Sequence, residues 1–193
     1  MRNKRYPILT FVAGAVCALP VLSQGIYIYL SAFSVFTVLC CIAYADLRTM
    51  MIPQGLLNLL LILCILNRAT VAAAEKSYVK NLVEGLLGGL ICFGFFFIVY
   101  HLSRKILGRE GIGYGDVKLM AVSGILLGVT ESIFAIAVAS VSACVVILVL
   151  VVLTGKKRGR GYPFAPFICF GVMLSYLFCQ PLLDRYMQFL STL

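Results

Sequence analysis

The chain has 193 residues, 62% of them apolar and 12% charged, with a mean hydropathy of +1.06. Those values exclude an ordinary soluble globular domain and indicate an integral membrane protein. The formal charge of +9 raises a nucleic-acid role, but the sequence offers no soluble basic domain to carry one, and no nucleic-acid partner is expected.

A helix that crosses roughly 30 Å of hydrocarbon needs about 20 predominantly apolar residues. Candidate spans run over residues 7–22, 26–45, 55–74, 82–103, 116–129, 131–154 and 163–183, the first and fifth being short. The runs are continuously apolar, not alternating, which argues against a transmembrane barrel. The expected fold is all-α: a polytopic membrane bundle of six to seven helices. It forms one domain over residues 1–193 with a motif-bearing core at 26–183 and no soluble domain. Arg2, Lys4 and Arg5 precede the first run as they do in a secretory signal, but the later topology fits an uncleaved first helix. Ser23-Gln24-Gly25 reads as a tight turn, and residues 67–81, NRATVAAAEKSYVKN, read as the longest external loop. Two glycine pairs at four-residue spacing, Gly85 with Gly89 and Gly124 with Gly128, suit close helix packing.

The basic residues divide unevenly between the two ends of these spans. Twelve of the sixteen, including Arg48, Arg104, Lys105, Lys118 and the clusters at 2–5 and 156–160, share the side of the N-terminus. Arg68, Lys76, Lys80 and Arg185 remain on the other. The positive-inside rule places the first group in the cytoplasm, against anionic lipid. The eight cysteines form no C-x-x-C pair, so no zinc site is expected. His101 is the only histidine and reads as interfacial packing.

Seven acidic residues remain. Glu75, Glu84, Glu110, Glu131 and Asp184 fall in or beside loops and read as solvated charge. Asp46 closes the second span in CIAYADLRTMMIPQG, and Asp116 opens the fifth in GIGYGDVKLMAVSGILLG. The parity of the spans puts both on the cytoplasmic side. From Asp116 to Gly128 is 13 residues, about 20 Å of helix, which is short of the hydrocarbon thickness. If the far end reaches the outer interface, Asp116 lies below the inner surface and must face a protein-lined, hydrated cavity. Blander readings stand beside this one: Asp116 capping its own helix, and Asp46 pairing with Arg48 or staying hydrated at the interface.

Gly111, Gly113 and Gly115 are more than a cap needs. Glycine permits positive φ and removes the Cβ that keeps another backbone away, which suits a site where an extended peptide lies against the main chain. Two aspartates brought together in a partly dry cavity do not both ionise, and the pair titrates as a unit. One takes a proton from water while the other polarises a peptide carbonyl.

With these motifs in hand, the sequence resembles the type IV prepilin peptidases among the GxGD membrane aspartyl proteases. That family's aspartate followed by Ile-Pro reads here as Asp46 with Ile52-Pro53. Its G-x-G-D-x-K-L element reads as Gly113-Tyr114-Gly115-Asp116-Val117-Lys118-Leu119. Its late Pro-Phe-Gly-Pro element reads as Pro163-Phe164-Ala165-Pro166, with alanine in place of the usual glycine. The resemblance implies a catalytic pair of Asp46 and Asp116, with Gly113, Gly115 and Lys118 supporting the catalytic loop. Lys118 either tunes the pair and holds that loop, or is an interfacial lysine whose stem snorkels. Pro53 is expected to start the third helix.

The implied substrates are prepilins or pseudopilins, cut at the cytoplasmic face of a bacterial inner membrane between a short basic leader and a hydrophobic helix. No cofactor and no metal is implied. The alternatives are a non-catalytic membrane scaffold and a protein that translocates cations or protons. Larger members of the family carry two C-x-x-C pairs in an N-terminal cytoplasmic domain associated with methylation, and this sequence lacks those cysteines. The purified chain is therefore expected to transfer no methyl group from S-adenosylmethionine to a processed pilin; labelled product in that assay would contradict the expectation.

Overall fold

Away from water, a helix satisfies every backbone N–H and C=O within its own segment, so continuous apolar runs fold as helices. A computed structural model describes residues 6–19, 21, 26–75, 77–107, 112–154 and 162–191, and among these it has seven α-helices and no strand. They are α1 (Tyr6–Ala18), α2 (Ile26–Thr49), α3 (Gln54–Glu75), α4 (Tyr78–Leu107), α5 (Tyr114–Leu127), α6 (Val129–Thr154) and α7 (Ala165–Ser191). The expected turn at Ser23-Gln24-Gly25 lies outside the described residues. So do Arg2, Lys4, Arg5, Lys76, Arg109, Glu110, Gly111 and the basic cluster at 156–160.

Five of the helices, α2, α3, α4, α6 and α7, are long and apolar enough to cross a membrane, whereas α1 and α5 are shorter. On α6 the exposed residues Val141, Val145, Leu148 and Val152 recur at helical spacing and form an outward apolar stripe. Such a stripe is stable against lipid, as in a polytopic helical membrane bundle.

Pairing runs mainly between neighbours in the chain, α1 with α2, α2 with α3, α4 with α5 and α6 with α7, and α2 also meets α7. The short helix α5 contacts α3, α4, α6 and α7. Its buried residues, including Asp116, Val117, Leu119, Met120, Ser123 and Leu126, run round most of its circumference, as expected for an inner helix.

Glycines bring α5 close to α4. A Cβ on Gly88 would lie 2.5 Å from the carbonyl oxygen of Gly124, and one on Gly124 would lie 2.6 Å from that of Gly88. Gly85 and Gly89 face Ile125 across the same crossing, at 2.8 Å from its carbonyl oxygen and 2.7 Å from its Cγ1. Both four-spaced pairs are thus packing glycines, and Gly88 is the member of the contact that the spacing does not reveal.

Two sequence expectations are corrected. Residues 67–75 and 78–81 are helical, so α3 runs the length of the span expected at 55–74 and the segment 67–81 is not one long loop. The helix persists because its polar residues find partners inside the bundle and its alanine-rich end favours helix. The Asn67 Nδ2 group donates to Ser31 Oγ at 2.9 Å, and Tyr176 OH donates to Asn67 Oδ1 at 3.2 Å. Glu84, Glu131 and Asp184 also sit on helices, and Glu75 ends α3 with its side chain outside the described set. Glu84 and Asp184 are exposed there, whereas Glu131 is partly buried and accepts a 3.0 Å hydrogen bond from Gln180 Nε2.

Overpacking a close helix crossing costs about 1–3 kcal/mol, which is the loss of stability expected for Gly88→Ala. At Gly94 a Cβ meets nothing within 4 Å, so Gly94→Ala is expected to be neutral or stabilising by up to about 1 kcal/mol. Thermal unfolding of both variants in detergent checks the contrast.

Candidate active site

Asp46 stands three residues before the end of α2. The helix stops because Met50 takes a left-handed conformation, φ 51°, from which its N–H donates back to the Asp46 carbonyl at 2.8 Å. This is a helix C-terminal αL turn, built on methionine instead of the usual glycine. The chain then reverses through Met51, Ile52 and Pro53. The Pro53 carbonyl accepts from the Leu56 and Leu57 N–H groups at 3.1 and 3.2 Å, so α3 starts at once and the missing proline N–H costs no hydrogen bond. The five-residue interval between Asp46 and Ile52-Pro53 is the length of this reversal.

Asp116 lies in the first turn of α5, whose N-cap is Gly113 (φ −70°, ψ 143°) with no side-chain cap. The Asp116 N–H donates to the Gly113 carbonyl at 3.0 Å, and the carboxylate turns back toward the Gly113 backbone. Asp116 therefore supports the first turn of its own helix as well as lining the site. Gly113 and Gly115 do not have positive φ; among the described glycines only Gly128 does. Their contribution is the missing side chain. A Cβ on Gly113 would sit 3.5 Å from Asp116 Oδ2, and one on Gly115 would meet Ile52 at 3.3 Å.

These two elements bring the aspartates together. Asp46 and Asp116 are 5% and 8% exposed, and both line one cavity of about 400 Å³ with Ile52, Gln54, Gly113 and Lys118. The Ala165 N–H, at the start of α7, donates to Asp46 Oδ2 at 3.2 Å. Among the described residues the ion pairs involve neither aspartate, so local pairing with Arg48 is not the account of Asp46. Arg48 instead lies over the Tyr44 ring, 5.4 Å from its centroid.

Lys118 Nζ lies 3.4 Å from Gln54 Oε1 and 5.0 Å from the Tyr114 ring centroid, tying the first turn of α5 to the start of α3. Of its two sequence readings this geometry favours loop support. Ala165 does not have positive φ, so alanine fits where the family motif has glycine. Its backbone donor was not readable from the sequence, because a main-chain N–H leaves no residue-type signal. Gln54 was missed for a related reason, since its partner is 64 residues away. His101 packs at 4.4 Å from Phe97 and 5.3 Å from Tyr100, ring centroid to ring centroid.

Fold and site together describe a polytopic helical membrane protein with two buried aspartates sharing one cavity. Residues 33–152 match the type IV leader peptidase family, and the chain belongs to that family. It is similar to the "Prepilin leader peptidase/N-methyltransferase" of Bacillus subtilis (strain 168), with 30% identity over 95% of this chain and 70% of that protein. Proteins of the same name from Dichelobacter nodosus and Xanthomonas campestris pv. campestris are 27% and 25% identical over 91% and 96% of the chain. The chain spans 58% and 63% of the length of those two curated relatives. No solved structure matches it.

Proposed function

We propose that this chain is a membrane-embedded aspartic endopeptidase that removes the short basic leader from type IV prepilins or pseudopilins. The observation that carries the proposal is the meeting of Asp46 and Asp116, 70 residues apart in sequence, in a single cavity. Family membership supports the reaction class, and of the two activities in the relatives' printed name the proposal concerns the peptidase.

In the proposed mechanism the pair holds one proton, because two neighbouring carboxylates in one largely buried cavity do not both ionise freely. The ionised member takes a proton from water as the water oxygen attacks the scissile carbonyl carbon. The protonated member gives its proton to the carbonyl oxygen. Collapse of the tetrahedral intermediate breaks the C–N bond and returns a proton to the leaving nitrogen, which releases the leader acid and a new N-terminal amine. The Ala165 N–H supplies a hydrogen-bond donor to the negative charge of the pair on the Asp46 side.

The proposed setting is the cytoplasmic face of a bacterial inner membrane, with the N-terminus inside. Arg48, Arg104, Lys105 and Lys118 support it, since they lie at the α2 and α4 C-termini and the α5 N-terminus, the helix ends that carry the two aspartates or share their side.

Asp46→Asn and Asp116→Asn are each expected to lower leader cleavage by about 100-fold or more while the chain inserts normally. Co-expression with a prepilin, followed by sequencing of the new N-terminus, measures this, and cleavage that survives either change would contradict the proposal. Ala165→Pro keeps α7, since proline is accepted at the first helical position, but removes the donor to Asp46. It is expected to slow cleavage by about 10-fold, the value of one charge-assisted hydrogen bond, at unchanged helicity by circular dichroism.

A further inference from the structure

The other end of α5 carries a second polar assembly, with no part in the mechanism above. Arg68 of α3 belongs to the segment that the sequence suggests as an external loop, yet its side chain is only 12% exposed. The guanidinium enters a notch left by two glycines. A Cβ on Gly85 of α4 would lie 3.0 Å from Arg68 Nε, and one on Gly128 would lie 2.8 Å from Nη2. Gly128, at φ 82°, ends α5, and its N–H donates to the Gly124 carbonyl at 2.8 Å.

A helix C-terminus presents unsatisfied carbonyls and the negative end of the helix dipole, and Arg68 is the cation placed against it. Glu84 Oε2 stands 4.0 Å from Nη2, and Glu131 of α6 shares with Arg68 a cavity of about 550 Å³. Lys80 and Tyr176 line the same cavity from α4 and α7. Among the described residues, Arg68 Nε and Nη2 make no hydrogen bond. The guanidinium therefore acts through its charge and its shape in the notch.

The height of the helix it meets is set by the glycine crossing with α4 and by what holds its two ends. Being buried nearly all round, α5 lacks a row of lipid-facing anchors, and its axial position depends on packing and on what holds its two ends. At the Asp116 end those holds are the Gly115–Ile52 contact and the Lys118–Gln54 bond.

We propose that Arg68 is a positioning residue: wedged between Gly85 and Gly128 at the C-terminal end of α5, it sets how deep that helix sits and hence where Asp116 stands relative to Asp46. The catalytic consequence rests on the peptidase reading; the mechanical one does not.

The test uses the full chain in lipid nanodiscs, with Arg68→Met removing the charge and Arg68→Lys keeping it. Hydrogen–deuterium exchange is followed over residues 114–120, and leader cleavage over a pH series. Arg68→Met should speed exchange in the first turns of α5, shift the pH–rate profile, and lower kcat by about 10-fold with KM within about twofold, as expected when reacting groups are displaced. Arg68→Lys should stay within about threefold of the unchanged chain, because no hydrogen-bonded fork is lost. A structural role alone would scale the pH profile by the folded fraction without moving it. Wild-type exchange and an unmoved profile in Arg68→Met would overturn the proposal, as would Arg68→Lys being as impaired as Arg68→Met. Arg68→Gln gives the same reading if the methionine variant fails to insert. If the unchanged chain cuts no prepilin while Arg68→Met still loosens residues 114–120, the peptidase reading falls and the positioning role stands.

Discussion

A single length sets the organisation of this molecule: α5, at 14 residues, is too short to cross the hydrocarbon. A spanning helix presents an apolar face to lipid and keeps its polar ends at the two interfaces. This one does neither, and it packs against α3, α4, α6 and α7 instead. Its first turn, carrying Asp116, therefore lies within the protein, and a carboxylate there is tolerable only beside a polar cavity. The cavity is made by the end of α2, where Met50 reverses the chain and leaves Asp46 facing the same space.

Close packing of α5 requires glycine, and here the demand is for volume more than for unusual backbone angles. Gly88 and Gly124 let two backbones touch, Gly85 and Gly128 admit a guanidinium, and Gly115 admits Ile52. Only Gly128 combines that space with a positive φ, at the point where α5 gives way to α6. Gly115 in the acidic motif and the glycines of the α4–α5 contact thus share one cause, a central helix packed tightly against its neighbours.

Much of this was legible in the sequence because its signals are local. Apolar runs marked the helices to within a few residues at most ends, and the shortness of the fifth run singled out Asp116, which is buried within the protein. What stayed hidden depends on contacts between distant segments. The stretch at 67–81 looked like a loop because Asn67 and Arg68 are polar, and nothing local reveals that Ser31, Tyr176 and Glu84 receive them. Glu131 looked solvated for the same reason, before Gln180 was seen to hold it. Gly88 escaped the four-residue spacing because Glu84 and Cys92, not glycines, stand four residues either side of it. The family motifs marked Asp46 and Asp116 but said nothing of the main-chain donor at Ala165.

The central claim is that the two aspartates work as one unit. Single-turnover cleavage of a prepilin by the Asp46→Asn, Asp116→Asn double variant, set beside each single variant, tests it most directly. Groups that share one proton are strongly non-additive, so the double variant should be no slower than either single variant within about threefold. Losses that multiply in the double variant would show two independent contributions and contradict the account.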